Sequence, residues 1–173
     1  MILIALLAAF AAPSGPGSLP DPLGPAATGQ LQCHSPDPVG KTCQSLAGYA
    51  RAPSGEIINT ALILLSSKPV VVMEVVAPVV VKDGAVCATL RQADTDTANF
   101  TVDGQPVGPD RLGAARAGVS AMMKMLLGHE ACSTYEPAGD MLLAKAALDG
   151  VAIPAANQKV IWVKPTDGYS VAP

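Results

Sequence analysis

The stretch CHSPDPVGKTC, Cys33 to Cys43, holds the densest set of reactive side chains in this 173-residue sequence. It offers two thiols, an imidazole, a carboxylate and the Gly40-Lys41-Thr42 triplet that ends a phosphate-binding loop. Such a loop needs glycines whose amides cradle phosphates, between a strand and a helix. Here Ser35 stands at the first glycine position, Pro36 and Pro38 remove two amides, and the residues after Thr42 have strand character. Zinc through Cys33, His34 and Cys43 is also a poor fit, because zinc knuckles pair cysteines two to four residues apart and need a second pair. Neither Cys87 nor Cys132 has a neighbouring ligand. The stretch is best read as a turn closed by a disulfide.

The segment MMKMLLGHE supplies the soft ligands that suit Cu(I), thioether and imidazole. Met122, Met125 and His129 are spaced three and four apart, which places them on one helix face. A copper site there is the alternative to packing. Met122 also falls in an apolar stripe with Leu112, Ala115, Val119 and Leu126, and methionine on such a stripe usually fills core space. For catalysis, Ser120 and Lys124 are four apart and GVSAM lacks the second glycine of a nucleophile elbow. Glu74 is the one charge inside VVVMEVVA, where a solvent-facing strand position is favoured over a buried acid. No catalytic residues and no cofactor are assigned, and a non-enzyme is favoured.

These residues must be positioned by a domain whose start is marked by composition. An apolar run, Ile2 to Ala12, precedes Pro13 and is too short to cross a bilayer, which takes roughly 20 residues. It suits a signal peptide cut after Ala11, although no Lys or Arg precedes it. Residues 12–30 are rich in proline and glycine and poor in large side chains, the composition of a disordered tether. The domain is expected over residues 31–173. Four cysteines, Cys33, Cys43, Cys87 and Cys132, predict two disulfides in an exported chain. Of the three possible pairings, Cys33 with Cys43 and Cys87 with Cys132 is preferred, because the first pair brackets a turn and the second joins a strand to the segment after the helix.

Four Asp-Gly dipeptides, at 83–84, 103–104, 149–150 and 167–168, punctuate short apolar segments as hairpin turns do. The strand runs are LAGYARA, EIINTALILL, PVVVMEVV, PVVVK, AVCATLR, NFTV and QKVIWVK, with GYSV closing the chain. DMLLAKAALDG suits a helix or a strand, and the strand is narrowly favoured. Pro109 to Leu127 has helical periodicity, ending at Gly128. The fold class expected is α+β: an antiparallel sheet of about 7–8 strands covered on one face by one long helix.

Net charge is −3 and like charges do not cluster. That excludes nucleic acid as a partner, since phosphate binding needs grouped Lys and Arg, and the mature chain has no membrane span. The functional expectation is a small binding or structural module of a bacterial-type envelope or of the secreted space, periplasmic or secreted. It would act through a sheet face or strand edge on another protein or an envelope component. The alternatives are a periplasmic copper protein, or a hydrolase whose site is unrecognised.

Overall fold

A computed structural model describes residues 21–173. The segment 1–11, expected to be a signal peptide, and the first part of the segment expected to be a tether lie outside the described residues. In chain order the elements are β1 (Leu31–His34), β2 (Thr42–Cys43), β3 (Ser45–Arg51), β4 (Ile57–Ser67), β5 (Val70–Lys82) and β6 (Ala85–Thr89). Next come α1 (Gln92–Asp96), β7 (Asn99–Val102), β8 (Gln105–Pro106) and α2 (Pro109–Met123). The chain ends with β9 (Glu130–Ala138), β10 (Met141–Leu148), β11 (Val151–Ala152), β12 (Gln158–Val163) and β13 (Ser170–Val171).

Eight of these strands form a closed antiparallel barrel in simple sequence order, β1–β3–β4–β5–β6–β9–β10–β12, with β12 returning to β1. The expected α+β sheet under one long helix is therefore wrong. Alternating apolar residues need cover on one face, but the opposite wall of a barrel supplies it as well as a helix does. Closure also removes the long edges on which a strand-edge binder would rely. The helix begins at Pro109 as expected and stops at Met123, and its buried residue is Val119. It packs over Met73 and Phe100 and leaves most of the barrel uncovered.

Three Asp-Gly pairs turn hairpins with both residues at positive φ: Asp83 and Gly84 at 51° and 75°, Asp103 and Gly104 at 48° and 76°, Asp149 and Gly150 at 48° and 78°. A two-residue turn of this hand matches the twist of its strands, and Asp-Gly tolerates it best. Asp167 instead lies in a 3-10 turn, with Gly168 alone at positive φ, 80°. The segment 141–148 is a strand, β10. PVVVMEVV and PVVVK are one strand, β5, which runs through Pro78. β5 pairs with β7 over Val71–Glu74 and with β6 over Val80–Lys82. Between those stretches its ladder is with β4 alone, so a residue lacking an amide hydrogen loses no bond on that side.

Everything between β6 and β9 is an insertion, comprising α1, β7, β8 and α2. Disulfides join Cys33 to Cys43 and Cys87 to Cys132, and the second closes the base of this insertion, with a sequence separation of 45. Cys87 and Cys132 stand directly opposite in register, and near them Leu90 N–H donates to the His129 carbonyl and Gly128 N–H to the Leu90 carbonyl. Residues 21–30, read from sequence as tether, are folded. A 3-10 helix, Gly24–Thr28, lies against the barrel and Leu23 is buried at 6% exposure.

Candidate functional site

The face of β1 that points into the barrel carries Gln32 and His34. Gln32 stands in register between Ala47 of β3 and Trp162 of β12, so alternation puts Tyr49 and Val160 on the same inner surface. Cys33 faces the other way, where it packs with Cys43 and Val163 outside the wall. A short strand such as LQCH therefore sends its polar residues inward and its cysteine outward.

Gln32 is the largest fully buried side chain of the described residues, with 0% of it exposed. Its Oε1 accepts from the Tyr49 hydroxyl at 2.8 Å and the Tyr135 hydroxyl at 3.3 Å, and His34 Nε2 lies 3.0 Å away. Three donors converge on that oxygen. Gln32 Nε2 has no partner at all. A buried donor without an acceptor costs about 1–3 kcal/mol, so the lumen keeps an unmet hydrogen bond in an otherwise packed interior.

The groups around it are held uncharged. Burial pushes the Tyr49 phenol well above its ordinary value, and the neighbouring Tyr135 adds to the shift. Burial also raises Tyr135, against bonds to Gln32, Tyr49 and Ser133 that lower it. For His34 desolvation lowers the pKa, and a hydrogen bond with Gln158 opposes it. The centre of the barrel is thus polar and neutral. Around it lie Val79, Val86, Ile57 and Trp162, whose ring is tilted against that of Tyr49 with centroids 6.2 Å apart.

A cleft of about 530 Å³ opens at one mouth of the barrel, bounded by Leu23, Ala26, Tyr49, Arg51, Ile57 and Val81. Tyr49 is shared: its ring lines the cleft and its hydroxyl reaches Gln32. Leu23 reaches from the N-terminal segment into the same apolar cluster as Val79 and Val86. Arg51 stands at the rim and donates to the Gly55 carbonyl at 3.0 Å.

A second cleft, of about 570 Å³, lies between the β3–β4 turn, residues 78–81 of β5 and β6, with Arg51, Glu56, Arg91 and Glu130 around Val80 and Cys87 of the bridge. Two of these charges, Glu130 and Arg91, are paired within the chain. Lys82 meets Glu130 at 2.6 Å and Arg91 binds Asp94, whose hydrogen bond holds the guanidinium pKa up. Cys87, Cys132 and Glu130 are close enough to hold a metal ion, but both sulfurs are spent in the disulfide.

The residues singled out from sequence fall elsewhere. Lys41 donates to the Asp167 carbonyl at 2.7 Å, Asp37 and Thr42 exchange backbone bonds, and strand β2 follows, so the Gly40-Lys41-Thr42 triplet is a structural turn. Ser120 bonds Gln92 and Thr95 between α1 and α2 and is not within a nucleophile–base pair. Glu74, opposite Leu62, lies on the outward face of β5 with exposed Val76. Met122 and Met125 are 69% and 83% exposed, so the packing role given to Met122 is wrong: Met122 is still helical, but the packed face runs through Leu112, Ala115, Val119 and Met123, and Met122 lies off it. His129 is tied through Nδ1 to Asp149, whose carboxyl pKa this bond lowers. Sequence reasoning missed Gln32, Tyr49 and Tyr135. Comparison with protein-family models, curated proteins and solved structures finds no match to this chain.

Proposed function

We propose that the protein is a binding module of an oxidising, extracytoplasmic compartment, periplasmic or secreted, that takes a small ligand through the mouth of its barrel. Eight-stranded barrels are at the size where the interior is either filled by side chains or holds one small ligand. The observation that carries the reading is Gln32 Nε2, a fully buried donor without an acceptor, linked through Tyr49 to an open cleft. A barrel built only for stability would gain by placing an aliphatic residue there. The two disulfides support the compartment, since such bridges persist where thiols are not kept reduced. Closure of the barrel argues against the strand-edge mode of binding and for the mouth.

The test is native mass spectrometry on protein isolated from its natural compartment. A non-covalent adduct is expected, lost in Gln32→Met. Trp162, the only tryptophan, sits in the same cluster and reports occupancy by its emission. A bare polypeptide mass, with Trp162 emission unmoved by small apolar probes, sinks the proposal.

A further inference from the structure

The segment 21–29 is shaped by bonds within itself. Asp21 Oδ1 accepts from the Leu23 amide at 2.9 Å, Ala26 N–H donates to the Leu23 carbonyl, Gly29 N–H to the Ala26 carbonyl, and the Thr28 hydroxyl to the Pro25 carbonyl. Among the described residues none of its hydrogen bonds reaches the barrel. Contact with the wall is apolar, through Leu23 and Ala26. Gly29, at φ 78°, ends the 3-10 helix in the left-handed region and joins it through Gln30 to β1, two residues before Gln32. The most buried side chain of the segment therefore enters the lumen with no polar tether to it, in the same cluster as Tyr49 and Tyr135, whose hydroxyls reach Gln32, and an aliphatic side chain offers the free Gln32 donor no acceptor.

We infer that residues 21–29 are a displaceable plug in which Leu23 occupies the ligand's place, and that the ligand is a small aliphatic molecule ending in a neutral carbonyl-type acceptor. This rests on the binding reading above. Displacing the plug breaks none of the segment's internal bonds and sacrifices mainly the apolar burial of Leu23 and Ala26, which an aliphatic ligand replaces. The inner end must accept a hydrogen bond, because the vacant partner is an N–H. It must also be neutral: no cation lies in the lumen, Arg51 stands at the rim, and a buried unpaired carboxylate is far costlier than a carbonyl. The plug makes the free protein pay for opening, so apparent affinity is reduced by the fraction of molecules that are closed.

The experiment uses the full chain and three probes matched in length: methyl octanoate, decane and octanoate, titrated against Trp162 emission and checked by calorimetry. Methyl octanoate is expected to bind. Leu23→Ala should tighten it by about tenfold, since it weakens the competitor and leaves the wall intact. Asp21→Ala, which removes only the carboxylate that holds the Leu23 amide, should act in the same direction by less and keeps the test alive if Leu23→Ala misfolds. Gln32→Met should reduce the preference for the ester over the alkane by about tenfold, the worth of one neutral hydrogen bond at its upper end. Octanoate binding as tightly as the ester overturns the ligand class. Probe binding that neither Leu23→Ala nor Asp21→Ala tightens overturns the plug and leaves the binding reading standing. No response to any probe in any variant overturns plug and ligand class together, and the adduct measurement then decides the binding reading by itself.

Discussion

One strand serves two cores that differ in kind. Met73, Val75, Ala77 and Val79 of β5 alternate onto a single face. At one end Val79 joins Leu23, Val86, Tyr49 and Trp162 in the lumen, where polar groups are buried and one is unpaired. At the other end Met73 meets Phe100, Ala98 and Val119 beneath α2, and the buried polar group beside them, Thr95, is paired with Ser120. The same β-branched alternation thus yields a seam whose buried polar groups are paired and a centre where one is not, and the difference comes from what the opposing elements supply. The insertion offers Phe100 and the aliphatic face of a helix. The barrel's far walls offer Tyr135 and the inner face of β1. A domain selected only for stability has no reason to keep the second arrangement, whereas the first is ordinary packing.

Cutting the staple at the insertion's base should have the largest effect. In the chain-entropy model a loop of this length contributes about 4 kcal/mol. Cys87→Ala with Cys132→Ala should therefore lower stability by about that much, and Cys33→Ala with Cys43→Ala by about 3 kcal/mol or slightly less. Denaturant titration followed by two signals bears on the comparison itself. Far-UV ellipticity at helical wavelengths follows α1 and α2, and Trp162 emission follows the lumen. With the Cys87–Cys132 bridge removed the helical signal should be lost first, as expected of a separate cooperative unit. Coincident transitions would mean that the two cores are one.

Point changes in the two cores should differ by more than their sizes do. Phe100→Ala empties a site that is 5% exposed and should cost at least about 3 kcal/mol. Gln32→Met keeps the volume, removes the unpaired donor and sacrifices one good acceptor. The Tyr49 and Tyr135 hydroxyls lose their shared acceptor, and the removal of the unpaired donor offsets much of that, so the net loss should stay at about 1 kcal/mol. Thermal or chemical denaturation of the two variants side by side measures this. A cost for Gln32→Met as large as that for Phe100→Ala would make Gln32 a structural keystone and remove the reason for seeking a ligand.

The pH dependence should belong to the lumen. The folded pKa of His34 lies below its ordinary 6.5 because burial disfavours the charged ring. As pH falls through about 6.5 the unfolded chain takes up a proton that the folded chain resists. Its contribution is thus fully present above that point and is lost toward the lower, folded pKa. Tyr49 and Tyr135 have raised values, so their contribution is present below about pH 10 and is lost as pH rises beyond it. Melting temperatures measured from about pH 7.5 down to about pH 5 should decline in the wild type and decline less in His34→Gln. An unchanged slope in that variant would place the titrating group elsewhere.

Much of the secondary structure was legible because it follows from local chemistry. Asp-Gly at 83, 103 and 149 demanded tight hairpins, Pro109 marked a helix start, and an even cysteine count, read together with an expected signal peptide, pointed to two bridges. Closure was not legible, because alternation in β4 and β5 says that one face is covered and not by what. Nor was the site. In LQCH the polar pair Gln32 and His34 reads as the solvent face and the cysteine as the inner one, yet the wall is wrapped so that the inner face is polar and the outer one is sealed by β2 and β13. Residues 21–30 looked too poor in apolar area to fold, and by themselves they are. One leucine inserted into a preformed mouth is enough to dock them, a tertiary effect that composition does not register.

The smallest effect sharpens the comparison within the insertion itself. Val119 is buried under α2, and three residues later Met122 points away with 69% of its surface exposed, followed by Met125 at 83%. The apolar periodicity of the sequence runs on through all three, but α2 ends at Met123 and the chain continues in short turns, with Leu126 N–H bonded to the Met123 carbonyl and His129 N–H to that of Leu126. Within the helix the face of Val119 passes to Met123, four residues on, and leaves Met122 outside it, while Met125 lies beyond the last helical turn. Val119→Ser should therefore cost roughly 2 kcal/mol or more, because it removes buried methyl groups and adds a hydroxyl to an apolar cluster. Met122→Ser and Met125→Ser should stay within about 0.5 kcal/mol of the parent, as surface changes do. A loss of about 2 kcal/mol or more for Met122→Ser would mean that the end of the helix packs against something in solution, and would return that residue to the core role its spacing suggested.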